Sequence, residues 1–437
     1  MRTKTHNKRK VQLVTLGCSK NWVDSENIIT QLAHNNFEVQ HNGKDYGPET
    51  VIVNTCGFIE RAKEESIQTI LEFAKLKTEG KIETLYVTGC LSQRYKENLE
   101  DEIPEVDAYF GTMDMPALLS RLNVDFRQDL IGERLLSTPS HYAYLKISEG
   151  CNRTCSFCAI PLMRGQHKST PIEDLVLQAR NFAKNGVKEL ILIAQELTYY
   201  GLDIYKKRRL NDLLKALTEI DGIEWIRLHY AYPSNFPLEI IELMKAEPKI
   251  CSYLDMPLQH ISSRVLKSMR RQISKEETTE LIKTIRILHP EIHLRTTFLV
   301  GYPEETSEDF DELCEFVQES KFERIGVFTY SHEDDTIASS LKDIHSPELK
   351  EQRAQHLMQL QEDISLELNE KKVGKQFKTL IDRKEGKNYI GRTEFDSPDV
   401  DNEVHIPSNS NKYIRIGDFE TIKITKAEPY DLFGIPV

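Results

Sequence analysis

No run of apolar residues approaches the roughly 20 that cross a bilayer, and no apolar core follows the basic start MRTKTHNKRK. Neither a membrane span nor a secretory leader is expected. The start reads as a solvated tail, and the cytoplasm is the expected compartment. Basic charge is also scarce: 57 Lys and Arg face 69 Asp and Glu, for a formal net charge of −12. Proteins that grip nucleic acid along a broad face carry the opposite balance, so a protein or small-molecule substrate is favoured over nucleic acid. Internal repeats and low-complexity tracts are missing. What is present, 39% hydrophobic and 29% charged residues in a chain of 437, is ordinary globular composition with material for two to four domains.

Eight cysteines in a chain expected in the cytoplasm point to metal binding or catalysis rather than a disulfide frame. Their placement follows the pattern of elements. In residues 10–125 three strand-like runs, VQLVTLG, TVIVNT and TLYVTG, end at Cys18, Cys56 and Cys90, and each is followed by helical spacing. Ser25 is a candidate cap for the first helix. Strand–Cys–helix repeated three times predicts a parallel α/β domain, whose ligands sit at the carboxyl ends of the strands. A linker is expected over 126–140. A second alternating series, residues 137–367, offers the strands AYLKISE, ELILIAQE, WIRLHYAY, YLDMPLQ, HLRTTFLVG and RIGVFTYS. Six strands predict a partial (β/α)6 barrel, short of the full eight, with a long polar helix from about Ser346 to Lys372 after it. Residues 370–437 carry FKTLID, YIGRTEF, EVHIPS, YIRIG and FETIKITKAE, which predict a small OB-like β-barrel. The fold class is α/β with this β-barrel appended.

The sharpest motif is EGCNRTCSFCAIP, where Cys151, Cys155 and Cys158 have C-x-x-x-C-x-x-C spacing directly after the first strand of the second series. Three thiolates in one tight loop hold three irons of a 4Fe–4S cluster and leave the fourth open. An open iron takes the amino and carboxylate groups of S-adenosylmethionine (SAM), and the reduced cluster cleaves the sulfonium to a carbon radical. A zinc site is the alternative, but no second C-x-x-C or histidine pair follows to complete four ligands. Cys314, on the helical stripe Phe310, Leu313, Cys314, Val317, and Cys251, at the start of a strand, read as inert buried thiols.

With GCNRTCSFCAIP on the page, and with GCSKNWVDSE, NTCGFIERAKEESI and TGCLSQRY before it, the chain resembles the radical SAM methylthiotransferases from about Val11 to Val437. The terminal barrel resembles a TRAM domain. The resemblance implies that Cys18, Cys56 and Cys90 bind a second, auxiliary 4Fe–4S cluster that delivers sulfur; from the residues alone they read equally as core cysteines at strand ends. One branch of the family modifies tRNA adenosine and another a ribosomal protein. GCSKNWVDSE, DMPLQHISSRVLKSMRR with its His260, and the final YDLFG resemble the ribosomal branch. That branch implies methylthiolation of the β-carbon of an aspartate in small-subunit ribosomal protein twelve. It implies two SAM molecules, a flavodoxin- or ferredoxin-like reductant and a sulfur donor; the alternative is a tRNA adenosine methylthiotransferase. From Gly374 onward ten Lys and Arg face eleven Asp and Glu, a near-neutral barrel that fits a protein partner better than RNA. Thr170, Ser263 and the stretch TTFLVGYPEE depart from the family's usual residues without touching a cysteine. Candidate SAM contacts are Gln195, His229, Gln259, Arg295 and Gly301, expected at strand ends. Each has a structural alternative: backbone satisfaction for the glutamines, a hydrogen-bonded core for His229, an ion pair for Arg295.

Overall fold

Runs rich in Val, Ile and Leu suit strands buried on both faces, and in the computed structural model, which describes residues 9–43, 49–408 and 412–437, they form two parallel sheets. The first region runs β1 (Arg9–Thr15), α1 (Ser19–His34), β2 (Phe37–His41), β3 (Thr50–Thr55), α2 (Glu60–Thr78), β4 (Thr84–Gly89), α3 (Cys90–Glu102), β5 (Ala108–Tyr109) and α4 (Met115–Arg121). Its five parallel strands are ordered β2-β1-β3-β4-β5. Side chains alternate between faces along each strand. Val51, Val53, Leu85 and Val87 accordingly pack with Ile70 and Phe73 of α2, while Ile52, Tyr86, Val11 and Leu13 pack with Ile28, Leu32 and Leu118. The doubly wound order leaves the carboxyl ends of β1, β3 and β4 as the ligand edge.

Three sequence expectations are corrected here. The basic tail at residues 1–8 lies outside the described residues, but Arg9 and Lys10 already belong to β1, where pairing with Phe37 and Glu38 fixes them. Ser25 is no cap: α1 begins at Ser19, and Ser25 is buried inside it, accepting from Thr15 Oγ1 at 2.6 Å and Asn54 Nδ2 at 2.9 Å. Nor is 126–140 a loose linker. It includes a turn of 3₁₀ helix (Gln128–Gly132), buries Leu130, and ties Ser137 N–H to Glu26 at 2.7 Å.

The second series runs β6 (Tyr142–Lys146), β7 (Ser148–Glu149), α5 (Ile160–Arg164), β8 (Lys168–Ser169), α6 (Ile172–Lys184), β9 (Glu189–Ile193), α7 (Leu210–Thr218), β10 (Trp225–Leu228), α8 (Glu239–Ala246), β11 (Ile250–Asp255), α9 (Ser263–Ser268), α10 (Lys275–Leu288), β12 (His293–Val300), α11 (Ser307–Ser320), β13 (Arg324–Thr329) and α12 (Pro347–Glu370). An open six-stranded sheet, β13-β12-β11-β10-β9-β6, results. The pairs from β9 to β13 are parallel, as the partial-barrel expectation requires. The chain ends in β14 (Gln376–Glu385), β15 (Asn388–Thr393), β16 (Glu403–Pro407), β17 (Phe419–Ala427) and β18 (Asp431–Pro436), closed as β14-β15-β16-β18-β17. The five-strand count holds, but one member differs. YIRIG is not a strand: Ile414 drops into the barrel core while Tyr413 is 84% exposed. Its place is taken by β18, whose Gly434 and Pro436 hide its strand character in the sequence.

Two compact units divide the chain. Met1–Thr138, Tyr144–Asn152 and Ala159–Asn181 form one; Pro139–Ala143, Arg153–Cys158 and Phe182–Val437 form the other. Helix α5 and α6 as far as Asn181 thus belong with the N-terminal sheet. Among the described residues no helix is long and apolar enough to cross a membrane.

Candidate metal centres

Cys18 precedes α1, Cys56 follows β3, and Cys90 opens α3. All three stand at the carboxyl edge of the first sheet. Gly17, at φ +87°, comes so close to Cys56 that a Cβ there would lie 2.6 Å from the Cys56 Cβ and 2.7 Å from its Sγ. A Cβ on Gly57 would lie 2.9 Å from the Leu91 backbone and 3.0 Å from the carbonyl carbon of Cys90. The two glycines therefore let the three cysteine loops close on one another. Asn21, fully buried, ties them: its Nδ2 donates to Leu16 O at 2.8 Å and Thr55 O at 2.9 Å, and its Oδ1 accepts from the Cys90 thiol at 3.6 Å.

Burial pushes the Cys56 thiol above its ordinary value, and Cys18 adds to this. Burial pushes Cys90 up to about 12, with Cys18 and Cys56 adding to the rise and the Arg164 guanidinium opposing it. Buried thiols that resist losing a proton to water release it to a metal cation. Two buried thiols, Cys56 and Cys90, and the exposed Cys18 at one sheet edge, with the Arg164 guanidinium beside them, suit an iron–sulfur cluster. Among the described residues no three His, Cys, Asp or Glu side chains surround a single ion point. A cubane does not ask for that, since each thiolate binds a different iron.

The second triplet lies in the loop between β7 and α5. In the first unit, Cys151 N–H donates to Gly165 O at 3.1 Å. In the second, Cys158 N–H donates to Cys155 O at 3.2 Å, and Phe157 packs against Val265, Met269 and Tyr302. Arg271 Nη1 donates to Cys155 Sγ at 3.4 Å, and the Tyr232 hydroxyl lies 3.8 Å from the same sulfur while donating to Arg271 O at 2.7 Å. The Arg153 guanidinium sits 3.9 Å from the Tyr199 ring centre and 3.7 Å from that of Tyr232, and bonds Glu196 at 3.2 Å. Arg153, Tyr232 and Arg271 escaped the sequence reading. Arg153 lay in the motif itself, but nothing in its spacing marked an arginine stacked between aromatic rings.

The expected SAM contacts separate in the structure. Gln195 follows β9, His229 follows β10, and Gly301 follows β12, all at carboxyl ends. Gln259 lies in the loop after β11 at φ +77°, its N–H donating to Thr297 O and its carbonyl accepting from Leu299 N–H, each at 2.8 Å. Arg295 is corrected: it is the third residue of β12, not its end. Its guanidinium bonds Asp255 and Asp401, each at 3.3 Å, the ion-pair alternative. His229 Nε2 meets Ser397 Oγ at 2.9 Å. Glu305, also unforeseen, accepts the Gly301 N–H at 2.8 Å and Arg353 at 2.5 Å and faces His260 at 3.7 Å. Cys251 is fully buried against Trp225 and Tyr253, and Cys314 is half-buried on α11.

Family models match three segments: Uncharacterized protein family UPF0004 over residues 10–111, the Radical SAM superfamily over 145–317, and the TRAM domain over 373–437. A curated relative from Cytophaga hutchinsonii, named ribosomal protein uS12 methylthiotransferase RimO, is 58% identical over 99% of both chains. The chain belongs to the RimO family of radical SAM methylthiotransferases. RimO relatives from Flavobacterium johnsoniae (57% identical, 100% of both chains) and Christiangramia forsetii (56%, covering 100% of this chain and 96% of that one) agree. Among solved structures, the radical SAM methyltransferase TsrM from Kitasatospora setae matches with TM-score 0.54 at 15% identity over 74% of this chain and 75% of that one. The radical enzyme OxsB matches with TM-score 0.52 at 11% identity over 81% and 56%. At these identities the two structures speak to fold. RimO membership and the radical SAM match make an iron–sulfur cluster and SAM the cofactors of this enzyme.

Proposed function

We propose that this chain methylthiolates the β-carbon of one aspartate in small-subunit ribosomal protein uS12, in the cytoplasm. The observation that carries the reading is likeness along the whole chain: relatives 56–58% identical across at least 96% of both partners bear that substrate in their name. Cys151, Cys155 and Cys158 hold the SAM-cleaving 4Fe–4S cluster, and Cys18, Cys56 and Cys90 hold a second one that presents sulfur. The first cluster, when bound and reduced, supplies the electron that turns SAM into methionine and a 5′-deoxyadenosyl radical, which an unactivated C–H bond requires. Two SAM molecules are consumed, one for the radical and one for the methyl group. A flavodoxin- or ferredoxin-like reductant and a separate sulfur donor serve the enzyme.

The chain's own residues bind, orient and exclude. Arg153, stacked between Tyr199 and Tyr232 and anchored by Glu196, walls the cluster loop against water. Arg271 orients the Cys155 thiolate. Gln195, His229, Gln259 and Gly301 contact SAM, and Arg295, committed to Asp255 and Asp401, braces the sheet behind them. Ser397, from the terminal barrel, holds His229 by its Nε2; Glu305 holds the Gly301 turn.

The test is the intact mass of uS12 from cells with and without this gene. Gain of one methylthio group that depends on the gene and disappears on Cys151→Ala is expected. An unmodified uS12, with methylthio-adenosine lost from tRNA instead, overturns the substrate assignment and keeps the chemistry.

A further inference from the structure

We propose that Arg164 is a positioning residue of the auxiliary centre, a charge clamp that holds Cys90 toward the cluster and sets that cluster's redox potential. The inference rests on the reading that Cys18, Cys56 and Cys90 bind a cluster. Arg164 ends α5, six residues after Cys158, and its side chain is 2% exposed. Nη2 donates to Asn21 Oδ1, the atom that also accepts the Cys90 thiol. Nη1 donates to Asp24 Oδ2 at 2.7 Å and to both Glu149 oxygens at 3.3 Å. Ala159, Ile160 and Met163, from the start and body of the same helix, pack on Cys90, and Thr112 Oγ1 pins Met163 O at 2.7 Å. Lys146 bonds the same Asp24 and Glu149, so the two carboxylates are balanced by two cations. The Arg164 charge is felt at Cys90, Cys18 and Cys56.

The physical case is direct. A cubane on three thiolates is anionic and gains a further negative charge on reduction. A buried guanidinium beside a ligating sulfur favours the reduced state. Only a planar fork reaches Asn21, Asp24 and Glu149 at once, so lysine keeps the charge without the geometry.

The test uses the full chain with Cys151, Cys155 and Cys158 all replaced by alanine, reconstituted with iron and sulfide. The remaining cluster then belongs to the N-terminal triplet. Iron per chain and the midpoint potential, followed by electron paramagnetic resonance, are compared for Arg164, R164K and R164Q. With R164Q, about four irons per chain remain and reduction becomes at least tenfold less favourable, about 59 mV lower for one electron; R164K falls between. Should R164Q shed its iron, retention by R164K supports the clamp equally, because charge alone then restores the cluster. Two results overturn it: R164Q with its cluster at unchanged potential, or R164K and R164Q losing iron alike. If the parent with Arg164 intact takes up no iron, the auxiliary-cluster reading itself fails and the clamp falls with it.

Discussion

Arg271 and Glu305 show how single side chains inside the sheet's mouth are tuned. Arg271 is 5% exposed and reaches both Cys155 Sγ and Pro257 O. Arg271→Met is expected to lower 5′-deoxyadenosine formation about 10- to 100-fold, the usual loss when a group supporting a metal ligand is removed. Reductant-driven cleavage of SAM, normalised to iron content, checks it. Burial pushes the Glu305 carboxyl up to about 7, against Arg353 and the Gly301 and Tyr302 N–H groups, which pull it down. Its folded value thus exceeds the ordinary carboxylate value, and the folded state takes up a proton. The resulting stability is complete below pH ~4.5 and disappears as pH rises through about 7. Folding stability should fall on the order of 1–3 kcal/mol between pH 5 and 8 on this account. Glu305→Gln should remove that part of the slope in paired urea titrations; a variant with the parent's full slope refutes the assignment. Neither residue was legible in the sequence, because an arginine or glutamate in a loop looks the same whether it faces solvent or is buried against a cysteine or another charge.

At the scale of elements, the strand–cysteine–helix pattern predicted where Cys18, Cys56 and Cys90 stand, since apolar runs and helical spacing are local properties. What closes their loops is finer. Gly17→Ala puts a Cβ into the Cys56 side chain and an L-residue at φ +87°, a conformation that costs roughly 1–2 kcal/mol before any clash. Iron content of the reconstituted protein should drop toward that of one cluster, while far-ultraviolet circular dichroism is preserved. Ser274 caps α10 in a reciprocal box with Glu277. Ser274→Ala should cost about 1 kcal/mol of unfolding free energy and leave iron content alone, a control for substitutions that only destabilise. Elements were misread where tertiary pairing overrode composition. β18 carries Gly and Pro yet is held between β16 and β17, whereas YIRIG has strand-like residues but forms no ladder, meeting β14 through the Gly417 N–H donated to Ile381 O at 2.7 Å.

At the scale of the whole second unit, the terminal barrel is joined to the radical SAM sheet by buried charge. Arg392, 2% exposed, bonds Glu189 of β9 at 2.8 Å and Asp382 at 2.7 Å; Arg227 bonds the same Glu189 at 2.7 Å, and Asp382 also meets His141 at 2.8 Å. Burial opposes charge on Glu189, Asp382, Arg227 and Arg392, and pairing holds Glu189 and Asp382 below the usual carboxylate range. Arg392→Met takes one cationic partner from each of two buried carboxylates, leaving Glu189 to Arg227 and Asp382 to His141, and is expected to cost about 3–5 kcal/mol. The denaturation midpoint should shift accordingly, and expression of residues 1–372 alone should yield aggregated protein. Retained stability in Arg392→Met refutes the view that this network seats the barrel.

The order of local patterns, three strand–cysteine–helix units, then C-x-x-x-C-x-x-C, then short β-branched runs, already specified an α/β chain with two cysteine triplets and a small terminal barrel. Such features are written in nearest-neighbour chemistry, in side-chain periodicity and ligand spacing. Tertiary structure alone decided that Arg164, carried on the helix after the second triplet, lies among the residues of the first. It also decided that Arg295 is spent on Asp255 and Asp401, and that Ser397 reaches His229 across 168 residues of chain. Burial and pairing of charge depend on which distant segments meet, and no local pattern in the sequence carries that.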